Sequence, residues 1–280
     1  MDASSSHHVT PAEFLGALVA GGLSAVLCAV ALQNPQSHFA FFASYLTAFP
    51  LFLAGLAGGS MLGLIAAITG AAGLFISVEF DVGTAYTLCF AVPALVLTVL
   101  ALRYRVGDDG KIYWYPEGHL MASVILYPCV IFLAFVALAW SHPGGLLALT
   151  IERFGEASEL IGKQLPADQA VMLHNSLPKF VRVFPALAAW SWVLILGISF
   201  LTAQLMLQKH NWSLRKSFNL LDLHVPQVFV FGLAAMGLMA MFAPEPYKYI
   251  GLKLALIFTM PLPFVGLANV HAWAEQKKKK

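Results

Sequence analysis

The chain has 280 residues, 59% of them hydrophobic and 11% charged, with a formal net charge of +2 and a mean hydropathy of +0.77. Soluble domains carry roughly 25% charged residues, so a chain with less than half that share must set its apolar surface against lipid. No basic stripe interleaved with aromatics is present to follow a nucleic acid, and the one lysine run, residues 277–280, is terminal.

Residues 1–13 contain no Lys or Arg. A cleavable signal needs a basic leader, so residues 14–32 read as a retained first span. Crossing a hydrocarbon core about 30 Å thick takes about 20 helical residues. Stretches of that kind occur at 14–32, 39–57, 60–78, 84–102, 119–140, 184–208, 226–243 and 250–274. The expectation is an all-α polytopic bundle of about eight spans, one transmembrane domain over residues 1–280. Residues 39–78 carry no charge. As one helix they would be about 60 Å long, so the segment folds back, with Gly58-Gly59 as the hinge.

The first span repeats small residues every fourth position, at Ala17, Gly21, Ala25 and Ala29, beside a second row of Gly16, Ala20, Ser24 and Cys28. Such rows let helix backbones approach closely in lipid. The face fits either another span of the same chain or a partner subunit. Gly55, Gly59, Gly63 and Ala67 form a similar row that straddles the hinge. The cysteines Cys28, Cys89 and Cys129 fall in separate apolar stretches, which reads as packing rather than a disulfide or zinc framework.

After the fourth span, residues 103–118 place a Gly-Asp-Asp-Gly turn before Tyr113, Trp114 and Tyr115, an interfacial aromatic belt. Residues 141–183 form the long connection between spans five and six. There Leu147, Ile151, Phe154 and Ile161 recur at helical spacing opposite Glu152, Glu156 and Glu159, and a second pattern over 171–177 ends before Pro178. A pair of short amphipathic helices on the membrane surface is expected. Alternate connections put ten Lys and Arg on the side of both termini and six on the other. That favours cytoplasmic termini and an extracytoplasmic 141–183.

Proline interrupts the spans at Pro50, Pro93, Pro128, Pro261 and Pro263. Each removes a backbone donor, and the carbonyl it frees needs a protein partner or a watery cavity. Together with Thr47, Thr87, Tyr127, Asn269 and His271, those carbonyls are the expected lining of a site for a neutral or weakly polar small molecule. Lys253 sits near enough to a helix end to extend its ammonium to the interface. No HExxH, P-loop, GxSxG or CxxC motif is present. The chain therefore reads as a non-enzyme needing no cofactor or metal.

Several local patterns, in order, carry a resemblance. They are LAGLAGGSMLG at 53–63, Trp114-Tyr115-Pro116, Phe184-Pro185-Ala186-Leu187, Pro226-Gln227 and GLANVH at 266–271. In these the chain resembles the YybS-like bacterial membrane proteins, a family of unknown function, and its hydrophobic pattern is similar to that of substrate-binding subunits of energy-coupling-factor vitamin transporters. The resemblance implies the bacterial inner membrane and no particular reaction. Relatives usually continue in apolar sequence past the GLANVH-like segment, so a short or truncated member is expected. A transporter-like subunit would use the Ala17–Gly21–Ala25–Ala29 face to dock a partner. The expected function is a small-molecule binding or transport subunit that depends on a partner for energy. The alternative is a non-catalytic membrane scaffold or assembly factor.

Overall fold

A computed structural model describes residues 9–33, 37–163, 165–216, 225–266, 270 and 273. Its elements are α1 (Pro11–Gln33), α2 (His38–Leu46), α3 (Phe49–Gly58), α4 (Ser60–Ser77), α5 (Phe80–Tyr86), one π turn (Thr87–Ala91) and α6 (Val92–Ala101). A hairpin of β1 (Tyr104–Val106) and β2 (Ile112–Trp114) follows, then α7 (Glu117–Leu138), α8 (Gly145–Gly162), α9 (Ala167–Lys209), α10 (Val228–Phe242) and α11 (Tyr247–Phe258). Among the described residues seven helical stretches are long and apolar enough to cross a membrane, and α10 is a shorter apolar helix. Counting α10, whose 15 residues rise about 22 Å, each of the eight expected spans contains helix among its described residues. The chain separates into two compact units: Met1–Leu120 with Trp192–Asp222, and Met121–Ser191 with Leu223–Lys280.

In the first unit, α1 opens on a capping box. The Thr10 N–H donates to Glu13 Oε2 at 2.9 Å, and the Glu13 N–H donates to Thr10 Oγ1 at 3.3 Å. The expected hinge falls at Gly59, whose φ of 90° and ψ of 173° suit glycine. The small-residue row of α1 is closed within the chain. Ala17, Gly21 and Ala25 are buried and Ala29 is half-buried. A Cβ built on Gly21 would strike the Ala66 carbonyl oxygen and lie 2.8 Å from Thr69 Cβ, and one on Gly70 would lie 3.0 Å from the Gly21 carbonyl. Of the two uses the sequence leaves open, the structure takes the intramolecular one, because only glycine lets α1 and α4 touch backbone to backbone. Gly55 and Gly63 meet in the same way, against Thr98 of α6.

The proline breaks are sealed by side chains. Between α2 and α3, just before Pro50, the Thr47 carbonyl accepts Ser24 Oγ at 2.6 Å and the Tyr45 carbonyl accepts Ser199 Oγ at 2.9 Å. Ser24 Oγ also lies 2.8 Å from Tyr86 OH. With the Ser24 proton given to Thr47, the Tyr86 hydroxyl is the donor in that second bond. Pro93 cannot offer an N–H to the Cys89 carbonyl, which accepts the Trp192 indole N–H at 2.6 Å instead. In the second unit, the break before Pro261 leaves the Leu256 carbonyl to Thr259 Oγ1 (2.7 Å) and the Trp190 indole N–H (3.1 Å). These carbonyls hold helices together rather than line a cavity. Replacing Ser24 with alanine strands both the Thr47 carbonyl and the Tyr86 hydroxyl in a buried site. We expect a loss of about 1–3 kcal/mol, read as reduced resistance to denaturant in detergent. Tyr86→Phe, which removes one donor and leaves Ser24 bonded to Thr47, should cost about 1 kcal/mol.

Two local expectations are corrected. Residues 103–118 do not only carry an aromatic belt: they pair as an antiparallel hairpin with Tyr104 opposite Trp114 and Val106 opposite Ile112. The turn is tied by Asp109, which accepts the Lys111 backbone N–H (3.1 Å) and the Tyr113 hydroxyl (3.0 Å). The Lys111 N–H bond is the main reason its carboxyl sits below the usual carboxylate range. In the second unit, the helix expected to stop before Pro178 does not. α9 runs through Pro178 and Pro185 for 43 residues into the sixth span. A lost hydrogen bond at each proline does not end a helix whose apolar continuation and neighbours hold it. Phe154 of α8 packs on Phe180 and Phe184 of α9, with ring centroids 6.0 and 4.7 Å apart.

Candidate functional site

Charged side chains are gathered at two places, one in each unit. In the first, Arg215 is 3% exposed. Its Nη1 donates to the Ala101 carbonyl, and its Nη2 donates to the Tyr115 carbonyl and to Glu117 Oε1, each at 2.9 Å. The guanidinium also lies over the Trp114 ring, 5.9 Å from its centroid. The Arg215 carbonyl accepts Gln204 Nε2 at 3.0 Å and Ser213 Oγ at 2.7 Å. Burial lowers the Arg215 pKa and the Glu117 carboxylate partly restores it, so the guanidinium stays charged. Every one of these acceptors is protein. The node ties the end of α6 and the hairpin to the start of α7, and it is a clasp rather than a binding site.

In the second unit a cavity of about 650 Å³ opens between the end of α7, the turn into α8, α9 and the start of α11. Its apolar wall is Val136, Trp140, Leu146, Leu147 and Ile250, and its polar groups are His142, Arg182, Glu245 and Tyr249. Local structure explains each placement. α7 ends at Leu138, and the chain turns through Gly144 and Gly145 at φ of 83° and 65°, left-handed values that favour glycine. That turn presents His142, whose Nε2 lies 3.2 Å from Glu152 Oε2 on α8. Tyr249 sits in the first turn of α11, behind the cis Glu245-Pro246 bond. Gly251 presses α11 onto α10, since a Cβ there would lie 2.8 Å from the Ala240 nitrogen.

The chemistry of this cavity is unsatisfied in a specific way. His142 Nδ1 and Tyr249 OH are buried, and among the described residues neither has a hydrogen-bond partner. One turn beyond Tyr249, Lys253 is 1% exposed and its Nζ lies 4.9 Å from the centroid of the Tyr249 ring. Among the described residues no carboxylate lies within 4.0 Å of Lys253 or of Arg182. Lys253 does not extend to the interface as its position near a helix end predicts. Its ammonium instead lies over the face of the Tyr249 ring.

The residues expected to bind a ligand lie elsewhere. Thr47 is fully buried and its hydroxyl donates to the Ala43 carbonyl at 2.9 Å. Thr87, half-buried, donates to the Gly83 carbonyl at 2.7 Å. Both are in the first unit, whereas Tyr127 is half-buried on α7 in the second. Asn269 and His271 lie outside the described residues. None of the three described residues lines the cavity. Composition and spacing miss its lining because four separated segments contribute to it. One signal was available, a lysine within an apolar helix. Among the described residues no group of three His, Cys, Asp or Glu is placed to hold a metal ion. No curated protein and no solved structure matches the chain. Residues 22–280 match the profile described as predicted membrane protein (DUF2232), and the chain belongs to that family of predicted membrane proteins.

Proposed function

We propose that the protein is a membrane-embedded binding or transport subunit for a small molecule, held in the cavity between α7, α8, α9 and α11 and dependent on a partner for any energy. The cavity itself carries the reading. About 650 Å³ falls in the range of small-molecule sites, which are mostly apolar with a few placed polar groups. Trp140, Leu146, Leu147 and Ile250 supply the apolar wall, and His142, Arg182 and Tyr249 the polar contacts. The role is one of binding rather than catalysis, in a bacterial inner membrane, with the cavity towards the extracytoplasmic connection. A partner subunit would dock on a surface other than the Ala17–Gly21–Ala25 row, which α4 occupies.

Native mass spectrometry of gently extracted protein tests this. The expected result is one small molecule per chain, lost when Leu147→Trp fills the cavity while the chain stays folded. A hundredfold excess of that molecule over its dissociation constant should stabilise the protein by about 2.7 kcal/mol. A bare chain bound stoichiometrically to another membrane protein, unchanged by Leu147→Trp, would replace this reading with a scaffold.

A further inference from the structure

The cavity's charge narrows what it can hold. Lys253 is 1% exposed, and among the described residues no carboxylate lies within ion-pair distance of it. A buried unpaired ammonium is costly, and such groups are usually paired or face a functional path. Arg182, a lining residue, stands close enough to act on Lys253 as a like charge. Of the two cations, the buried one, Lys253, has no carboxylate beside it among the described residues. The carboxylate at the cavity, Glu245, is on an exposed loop residue, where water and salt screen it. The buried ammonium acts across the Tyr249 ring in a lower dielectric, where its field is stronger. Tyr249 OH, without a partner among the described residues, can donate to an oxyanion. Beside these groups the wall is apolar.

We propose that the cavity binds an amphiphile through a single anionic group, phosphate or carboxylate, set against Arg182, Tyr249 and the field of Lys253, with its apolar portion along Trp140, Leu146 and Ile250. This rests on the reading that the cavity holds a ligand, and goes beyond it in naming the ligand's charge and shape. Inorganic phosphate carries the anion without the apolar portion, and dioctanoylglycerol the apolar portion without the anion, so the probes separate the two contributions.

Three probes are titrated against full-length protein in a neutral detergent, with binding read by native mass spectrometry and thermal shift: dioctanoyl phosphatidic acid, dioctanoylglycerol and inorganic phosphate. Phosphatidic acid should bind one per chain, at least 100-fold more tightly than the uncharged dioctanoylglycerol, and inorganic phosphate should bind weakly. Lys253→Met should weaken phosphatidic acid binding 30-fold or more while raising the thermal stability of the probe-free protein, since it removes a buried charge and keeps the volume. Arg182→Gln, at an exposed position, should weaken binding about tenfold without altering the fold. Equal binding of phosphatidic acid and dioctanoylglycerol, unmoved by Lys253→Met, would overturn the anion and leave the cavity reading standing. Inorganic phosphate matching phosphatidic acid would overturn the amphiphile. A Lys253→Met protein less stable than the parent would show that the ammonium is already paired within the chain, and would overturn the proposal. No binding of any probe, together with a bare chain in the native spectrum, would remove the cavity reading itself.

Discussion

Arg215→Ala is expected to destabilise the protein by about 3–5 kcal/mol, the cost of breaking a buried charge pair by deleting one partner. The guanidinium is the single donor fork that satisfies the Ala101 carbonyl, the Tyr115 carbonyl and Glu117. Its removal leaves two carbonyls and a carboxylate without that donor where α6, the hairpin and α7 meet. Arg215→Lys is the sharper variant. It keeps the charge, but a compact ammonium cannot span three acceptors in the geometry of a planar fork. We expect an intermediate loss, about 1–3 kcal/mol, and Glu117→Gln should fall in the same range. Equilibrium denaturation in detergent micelles checks the series. Equal stability for Arg215→Lys and the parent would mean that charge alone holds the node.

Gly21→Leu should abolish folding of the first unit rather than merely remove a surface. Even Gly21→Ala places a Cβ against the Ala66 carbonyl oxygen. The obstacle is backbone, which cannot turn aside like a flexible side chain, so we expect at least about 3 kcal/mol lost, the upper end of overpacking costs. Gly70→Ala should behave alike, since its Cβ would meet the Tyr86 hydroxyl and come 3.0 Å from the Gly21 carbonyl. Gly16 and Gly22 provide the control on the same helix. Nothing lies within 4 Å of a Cβ at either, and alanine there should stabilise α1 by up to about 1 kcal/mol through helix propensity. The readout is the yield of monodisperse protein and its thermal midpoint. Four equal effects would show that α1 and α4 are not in backbone contact.

What could be read from the sequence was set by range. The spans were legible because each is a continuous apolar run, and the hinge was legible because Gly58-Gly59 is the pair of glycines within an uncharged run of 40 residues. The prolines marked where helices break. They could not show what seals the breaks, because Trp192 and Cys89 are 103 residues apart in the chain and Ser199 and Tyr45 are 154 apart. The hairpin leaves no mark in the sequence because its strands have three residues each, too few to display alternation. Pro178 looked like a helix end because propensity is local, while the contacts that carry α9 through it are not. The site was the least legible part. Thr47 and Thr87 are polar residues in apolar helices, as a lining would be, yet both satisfy themselves on carbonyls four residues back. Lys253 reads as reaching the interface because its distance from a helix end is a property of sequence, whereas its burial beside the Tyr249 ring is a property of packing.

The separation of 62 residues between Ser24 and Tyr86 imposes an order on biosynthesis. α1 emerges first and reaches the bilayer with a hydroxyl and a glycine face that only later helices can cover. Thr47 arrives 23 residues afterwards, the Ala66–Gly70 surface next, and Tyr86 last. At about 5–20 residues per second, the Ser24 hydroxyl waits roughly 3–12 s for Tyr86 to complete its bonding, and the glycine face is covered earlier, once α4 is made. During that interval another nascent helix with a small-residue row is a competing partner. Slowing translation between codons 24 and 86 would lengthen the exposure.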